Sequence, residues 1–148
     1  MENEGVKDVD AAIIGGGPAG LSAAMWCDEL GLSAVLVEAA NEPGGQLLRT
    51  YNPIANHLGV EAANGRELSD AFLSQLKNRR FETYLGTTVE SFDFEHRRLV
   101  LSNRMQISAR AVIIATGVGR RRLGVDGEDK FKGRGIIESG KRDGHLAK

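Results

Sequence analysis

DAAIIGGGPAG, residues 10–20, carries a short apolar run into Gly15-Gly16-Gly17-Pro18-Ala19-Gly20, where the run stops and a helix-compatible stretch begins. Each glycine answers a steric demand. Gly15 allows the sharp turn from strand to helix, Gly17 leaves out a side chain where a phosphate must approach the backbone, and Gly20 lets the helix pack close on the strand. Pro18 suits the first helical turn, where a missing N–H costs little. The N–H groups left unpaired there, with the positive end of the helix dipole, face an anion. The dipole contributes only roughly 0.3–1 kcal/mol per charge, so directed backbone hydrogen bonds supply much of the hold. Residues 15–20 therefore read as a dinucleotide-phosphate cradle.

The next residues complete a strand, helix, strand unit. Residues 21–30, LSAAMWCDEL, form helix readily and are closed by Gly31; a second apolar run, Ala34-Val35-Leu36-Val37, then ends on Glu38. Glu38 lies 18 positions after Gly20, near the roughly 20 expected for an acid that binds a ribose. A carboxylate there accepts hydrogen bonds from ribose hydroxyls and repels a 2′-phosphate. Ala39 and Ala40 add no cation to receive one. The cradle suits FAD or NAD better than NADP.

The whole chain sets wider bounds. Its 148 residues, 41% hydrophobic, are enough for one compact domain with a core. Apolar runs are too short to span a membrane, and MENEGVKDVD at the start has no signal-peptide core. Cytoplasmic location is the expectation, with no membrane partner. Cys27 is the single cysteine, which excludes an intramolecular disulfide and a cysteine-rich zinc site in this chain. The net charge of −1 hides an asymmetry: residues 1–119 hold ten Lys/Arg and 15 Asp/Glu, residues 120–148 nine and five. Asp126, Glu128, Asp129, Glu138 and Asp143 break up the basic tail, and no aromatic platform accompanies it, so no nucleic-acid partner is expected.

Residues 1–7 read as a loose leader. Residues 41–59, with Pro43, Gly44, Gly45 and Pro53, read as an irregular loop of the length that usually carries function. Leu68, Phe72, Leu73 and Leu76 recur at helical spacing and mark an amphipathic helix within 65–80. Residues 82–85, 87–94, 98–101 and 105–108 read as short strands of a small antiparallel insert, and Ala111-Val112-Ile113-Ile114-Ala115 as a buried strand ending in Thr116-Gly117. The fold class is α/β: a Rossmann-like domain with a parallel sheet and an antiparallel β-meander on one side.

With GGGPAG, Glu38, Gly44-Gly45-Gln46-Leu47 and Ala115-Thr116-Gly117 in order, the chain resembles the FAD-binding front half of thioredoxin-reductase-like pyridine nucleotide flavoproteins over roughly residues 9–144. The resemblance implies FAD as cofactor and NAD(P)H as electron donor. It implies that Gly45, Gln46 and Leu47 run along the flavin, that Asn56 in IANHLG lies near its ring system, and that the backbone of Val89 meets the adenine. Ala115, Thr116 and Gly117 resemble a second FAD fingerprint, whose small residues let the strand end pass close to the cofactor. His57 stands where such proteins usually carry an aromatic residue. Asn56 as a loop-stabilising residue, and Val89 as a plain strand residue, remain open alternatives.

Two departures shape the functional expectation. Where these proteins carry a redox-active Cys-x-x-Cys, this chain has Ser139 and Arg142, neither of which supports dithiol exchange. The acceptor is then something other than a disulfide, and no residue reads as a general acid or base. The family chain also continues into an NAD(P)H domain. Residues 8–119 accordingly read as an incomplete FAD-binding domain and 120–148 as a connector, with the NAD(P)H domain, a partner subunit or a second copy as expected partners. The competing expectation is a module that binds an adenine dinucleotide without turnover.

Overall fold

The computed structural model describes residues 6–119, 121–137 and 139–147. One six-stranded sheet runs in the order β3 (Glu82–Tyr84), β2 (Ala34–Val37), β1 (Lys7–Ile14), β6 (Gln106–Ile114), β5 (Arg98–Leu101), β4 (Val89–Asp93). Strand β1 (Lys7–Ile14) leads through the glycine turn into helix α1 (Pro18–Glu29), which returns the chain to β2 (Ala34–Val37). The two strands are parallel, with Ala11 opposite Ala34 and Ile14 opposite Val37. β1 begins at Lys7, within the segment read as leader; residues 1–5 of that segment lie outside the described residues.

Alternation along β2 supplies both faces of the core. Val35 and Val37 pack with Ala12, Leu99, Leu101 and Ile107 on one side, while Ala34 and Leu36 pack with Ala11, Ile13, Leu21, Ala24 and Leu76 on the other. The second face is covered by α1 and by α2 (Gly65–Leu76). Asn64 caps α2 by accepting the Glu67 N–H at 3.0 Å, and the Glu67 carboxylate reaches back to the Ala63 N–H at 2.8 Å. This is a near relative of the capping box.

Two sequence expectations need correcting. β3 (Glu82–Tyr84) does not belong to the antiparallel insert; it lies parallel to β2, with Leu36 opposite Thr83. The physical reason is the intervening helix: α2 is a crossover, and crossovers return a chain parallel to the strand it left. The runs at 105–108 and 111–115 are likewise one strand, β6 (Gln106–Ile114). Its first half pairs antiparallel with β5 (Arg98–Leu101), while nearly its whole length pairs parallel with β1. With β4 (Val89–Asp93) paired to β5, the meander is present, and its last strand is also a central strand of the sheet.

Candidate functional site: a glycine-walled cleft at the strand ends

Three parallel strands, β1, β2 and β6, end side by side, and the backbone ties between their ends build the site. Gly15 at the end of β1 donates its N–H to Val37 O at 2.8 Å, and Ala115 after β6 donates to Ile14 O at 2.8 Å. Gly15 has φ +108°, and a Cβ there would stand 2.4 Å from the carbonyl oxygen of Ala115. Only glycine fits this corner. Gly20 is constrained as strongly, because a Cβ would fall 1.8 Å from Gly15 O. Both positions are dictated by the fold itself.

Gly17 is different. It is the N-cap of α1, with Pro18 next and no side-chain cap. A Cβ at Gly17 would meet only Gly45 Cα at 3.9 Å, an ordinary contact. The protein alone leaves this position free, so a steric demand for glycine there has to come from something seated in front of it.

Glu38 follows β2 and turns into the cradle. Its Oε2 accepts the Gly16 N–H at 2.5 Å and its Oε1 the Ala40 N–H at 2.7 Å. A carboxylate has about four acceptor positions, so two remain for other donors. Behind it, the Glu38 N–H donates to Tyr84 O at 2.9 Å, and the Thr87 N–H donates to Glu38 O at 3.0 Å.

A second loop closes over the first. Gly44, at φ +128°, donates its N–H to Gly16 O at 2.8 Å, and a 3-10 turn comes next at Gly45–Arg49. Gln46 reaches across to the chain leaving β6, its Nε2 donating to Val118 O at 2.5 Å. The result is a cleft of about 480 Å³ that gathers Gly17, Pro18 and Ala19 of the cradle, Glu38, Gly45 and Gln46, and Ala115, Thr116 and Gly117. Its size is that of small-molecule and cofactor sites, roughly 300–1,000 Å³.

Of the residues singled out in the sequence, Gly15 and Gly20 form the corner behind the cleft without lining it, and three more lie elsewhere. Leu47 is half-buried on the far side of the turn, its carbonyl set against Gly65 at the start of α2. Asn56 sits in the exposed loop 55–61, which forms a shallow concavity of its own. Val89, at the start of β4, packs against the core face containing Leu99 and Ile107. His57 of the same loop as Asn56 meets the Phe72 ring of α2 at a tilt of 55°, with ring centroids 5.6 Å apart. The cleft also includes residues that the sequence motifs do not mark: Glu42, Leu48, Arg49, Val118 and Gly119. Arg49 is legible as a cation four residues beyond Gly45, but only the 3-10 turn brings it to the cleft.

The connector carries Ser139 and Arg142. Ser139 caps the short helix α3 (Gly140–Asp143), its Oγ accepting the Arg142 N–H at 3.3 Å. The Arg142 guanidinium bonds the buried carboxylate of Asp143 and donates to Tyr51 Oη at 2.7 Å, lying 5.0 Å from the centre of the Tyr51 ring. Those partners raise its already high pKa. Earlier in the connector, Arg122 pairs with Asp129 at 2.6 Å. Arg120 lies outside the described residues.

Residues 9–145 match the model of the family described as pyridine nucleotide-disulphide oxidoreductase. The chain belongs to this family. Among its relatives, a thioredoxin reductase of Listeria innocua is 36% identical over 142 residues, and one of Bacillus subtilis 35% identical; both alignments cover 96% of this chain and 44% of the relative. Solved structures agree. A T. acidophilum thioredoxin reductase superposes with a TM-score of 0.80 at 30% identity, over 95% of this chain and 45% of that one. A Lactococcus lactis thioredoxin reductase does so with a TM-score of 0.80 at 31% identity, over 92% and 44%. The chain thus spans under half the length of the family members it matches. No helix among the described residues is long and apolar enough to cross a membrane.

Proposed function

We propose that this chain is the FAD-binding part of an NAD(P)H-dependent flavoprotein oxidoreductase whose electrons go to an acceptor other than a protein disulfide. The observation that carries the cofactor reading is the convergence of the cradle, Glu38, Gly45-Gln46 and Ala115-Thr116-Gly117 on one cleft. The unclaimed space at Gly17 fits a diphosphate against the backbone, and the two spare acceptor positions of Glu38 fit ribose hydroxyls. When bound, the flavin supplies two-electron redox chemistry, and the protein supplies binding, orientation and electrostatics.

Three parts of the chain have separate work in this reading. The α1 amides and Glu38 hold the adenosine diphosphate half; the Gln46 to Val118 bond joins the two loops that wall the cleft. Where a dithiol would stand, Ser139 and Arg142 form a hydrogen-bonded cap and an ion pair with Asp143. Cys27, 5% exposed in α1, faces the core, and burial pushes its thiol pKa up. Neither group exchanges disulfides. Exposed Ile114 and Val118 are apolar surface for a second copy or a partner subunit to cover.

The test is reconstitution with FAD followed by anaerobic addition of NADH or NADPH to the complete protein, with quinone, ferredoxin and thioredoxin disulfide as acceptors. Flavin bleaching with turnover on a non-disulfide acceptor supports the reading. Reduction of thioredoxin at a comparable rate contradicts it.

A further inference from the structure

The cleft contains three charged side chains, Glu38, Glu42 and Arg49. Two are already engaged. Glu38 accepts the Gly16 and Ala40 amides, and Glu42 forms a two-pronged pair with Arg66 at 3.0 and 3.1 Å. The Arg49 guanidinium has no carboxylate or hydrogen-bond partner among the described residues. An arginine without a partner on open surface is ordinary. Here it ends the 3-10 turn that starts at Gly45, and Gly45 is packed against Gly17 of the cradle.

We infer that Arg49 is a cofactor-positioning residue whose guanidinium binds the diphosphate bridge from the 3-10 turn while the cradle amides bind it from α1; this rests on the dinucleotide reading of the cleft. The charge balance argues for it. A diphosphate diester brings two negative charges, whereas a helix N-terminus offers roughly half a positive one. Glu38 adds a further negative charge to the same cleft. A planar guanidinium matches phosphate oxygens in a forked geometry and supplies the missing whole charge.

Calorimetric titration of the full chain with ADP, adenosine and 2′,5′-ADP tests this, using Arg49→Leu and Arg49→Lys, with far-ultraviolet circular dichroism to confirm that each variant is folded. Arg49→Leu should weaken ADP about tenfold and leave adenosine unchanged. Arg49→Lys should recover part of the loss, and the salt dependence of ADP binding should flatten in Arg49→Leu. Equal ADP affinity in parent and Arg49→Leu overturns the inference alone. So does an equal loss for adenosine, or a loss confined to 2′,5′-ADP, which would reassign the cation to a ribose phosphate. A parent chain that binds neither ADP nor adenosine overturns the dinucleotide reading and this inference with it.

Discussion

Gly16 donates its amide hydrogen to Oε2 of Glu38 at 2.5 Å, so the acid at the end of β2 is built into the glycine cradle at the end of β1. The carboxylate also holds the Ala40 amide. Glu38 is therefore a tie between the two loops, and in the proposed reading it is also an acceptor for the ribose. Its replacement by Gln keeps the shape and turns one acceptor arm into a donor facing an N–H. Glu38→Gln should lose about 1–2 kcal/mol of fold stability and about one decade of affinity for adenosine. Urea unfolding and adenosine titration measure the two separately; a loss in neither removes both roles.

Gly20 and Gly17 should separate fold from function. Gly20→Ala places a Cβ 1.8 Å from Gly15 O, a clash with backbone that no rotamer relieves. The expected cost is about 3 kcal/mol, read as a lower urea midpoint at unchanged slope. Stability equal to that of the parent would show that α1 sits farther from the turn.

The sequence carried the first half of the domain well, because glycine corners and a helix-forming segment between two apolar runs constrain each other over only about 30 residues. Gly15, Gly20 and Glu38 were legible for that reason. The partner of β3 was not: Glu82-Thr83-Tyr84 alternates as any strand does, and only the crossover by α2 makes it parallel. The polar interruption at Ser108-Ala109-Arg110 similarly hid the unity of β6. In the folded chain Ala109 is buried, and Arg110 projects to pair with Asp10 at 3.0 Å. Val118 joins the cleft through the long-range bond from Gln46 and Arg49 through the 3-10 turn, neither of which local pattern encodes.

Acid should loosen the start of the sheet. The Asp10 carboxylate accepts the Ser33 Oγ–H at 2.7 Å, the Ser33 N–H at 2.9 Å and an Arg110 Nη1–H at 3.0 Å, which together hold its pKa below the ordinary carboxylate value. A depressed folded pKa means that the unfolded chain binds more protons in this window. The contribution is present above the unfolded value of about 3.9 and is lost as pH falls through the lower folded value. Urea midpoints for Asp10→Asn should therefore show less acid dependence below about pH 4 than those of the parent. Parallel curves would deny Asp10 this role.

Arg142 makes one of the contacts that tie the connector to the rest of the chain. Arg142 joins Asp143 to Tyr51, residues that lie far apart in sequence. Tyr51→Phe and Arg142→Leu should each increase proteolytic cutting within residues 121–147 while the melting of the main sheet changes little. A double-mutant cycle on the cutting rates should show the two effects to be non-additive. Unchanged proteolysis in both variants would mean that other contacts hold the connector.

The most direct test of the cleft is titration of FAD into the parent chain and into Gly17→Val, monitored by flavin fluorescence, with urea unfolding run on both. Space in the protein accommodates a Cβ at Gly17, so the variant should fold with a modest loss of stability and bind no measurable FAD. Equal FAD affinity in a folded Gly17→Val chain, or no FAD binding by the parent, would contradict the assignment of this cleft to a dinucleotide.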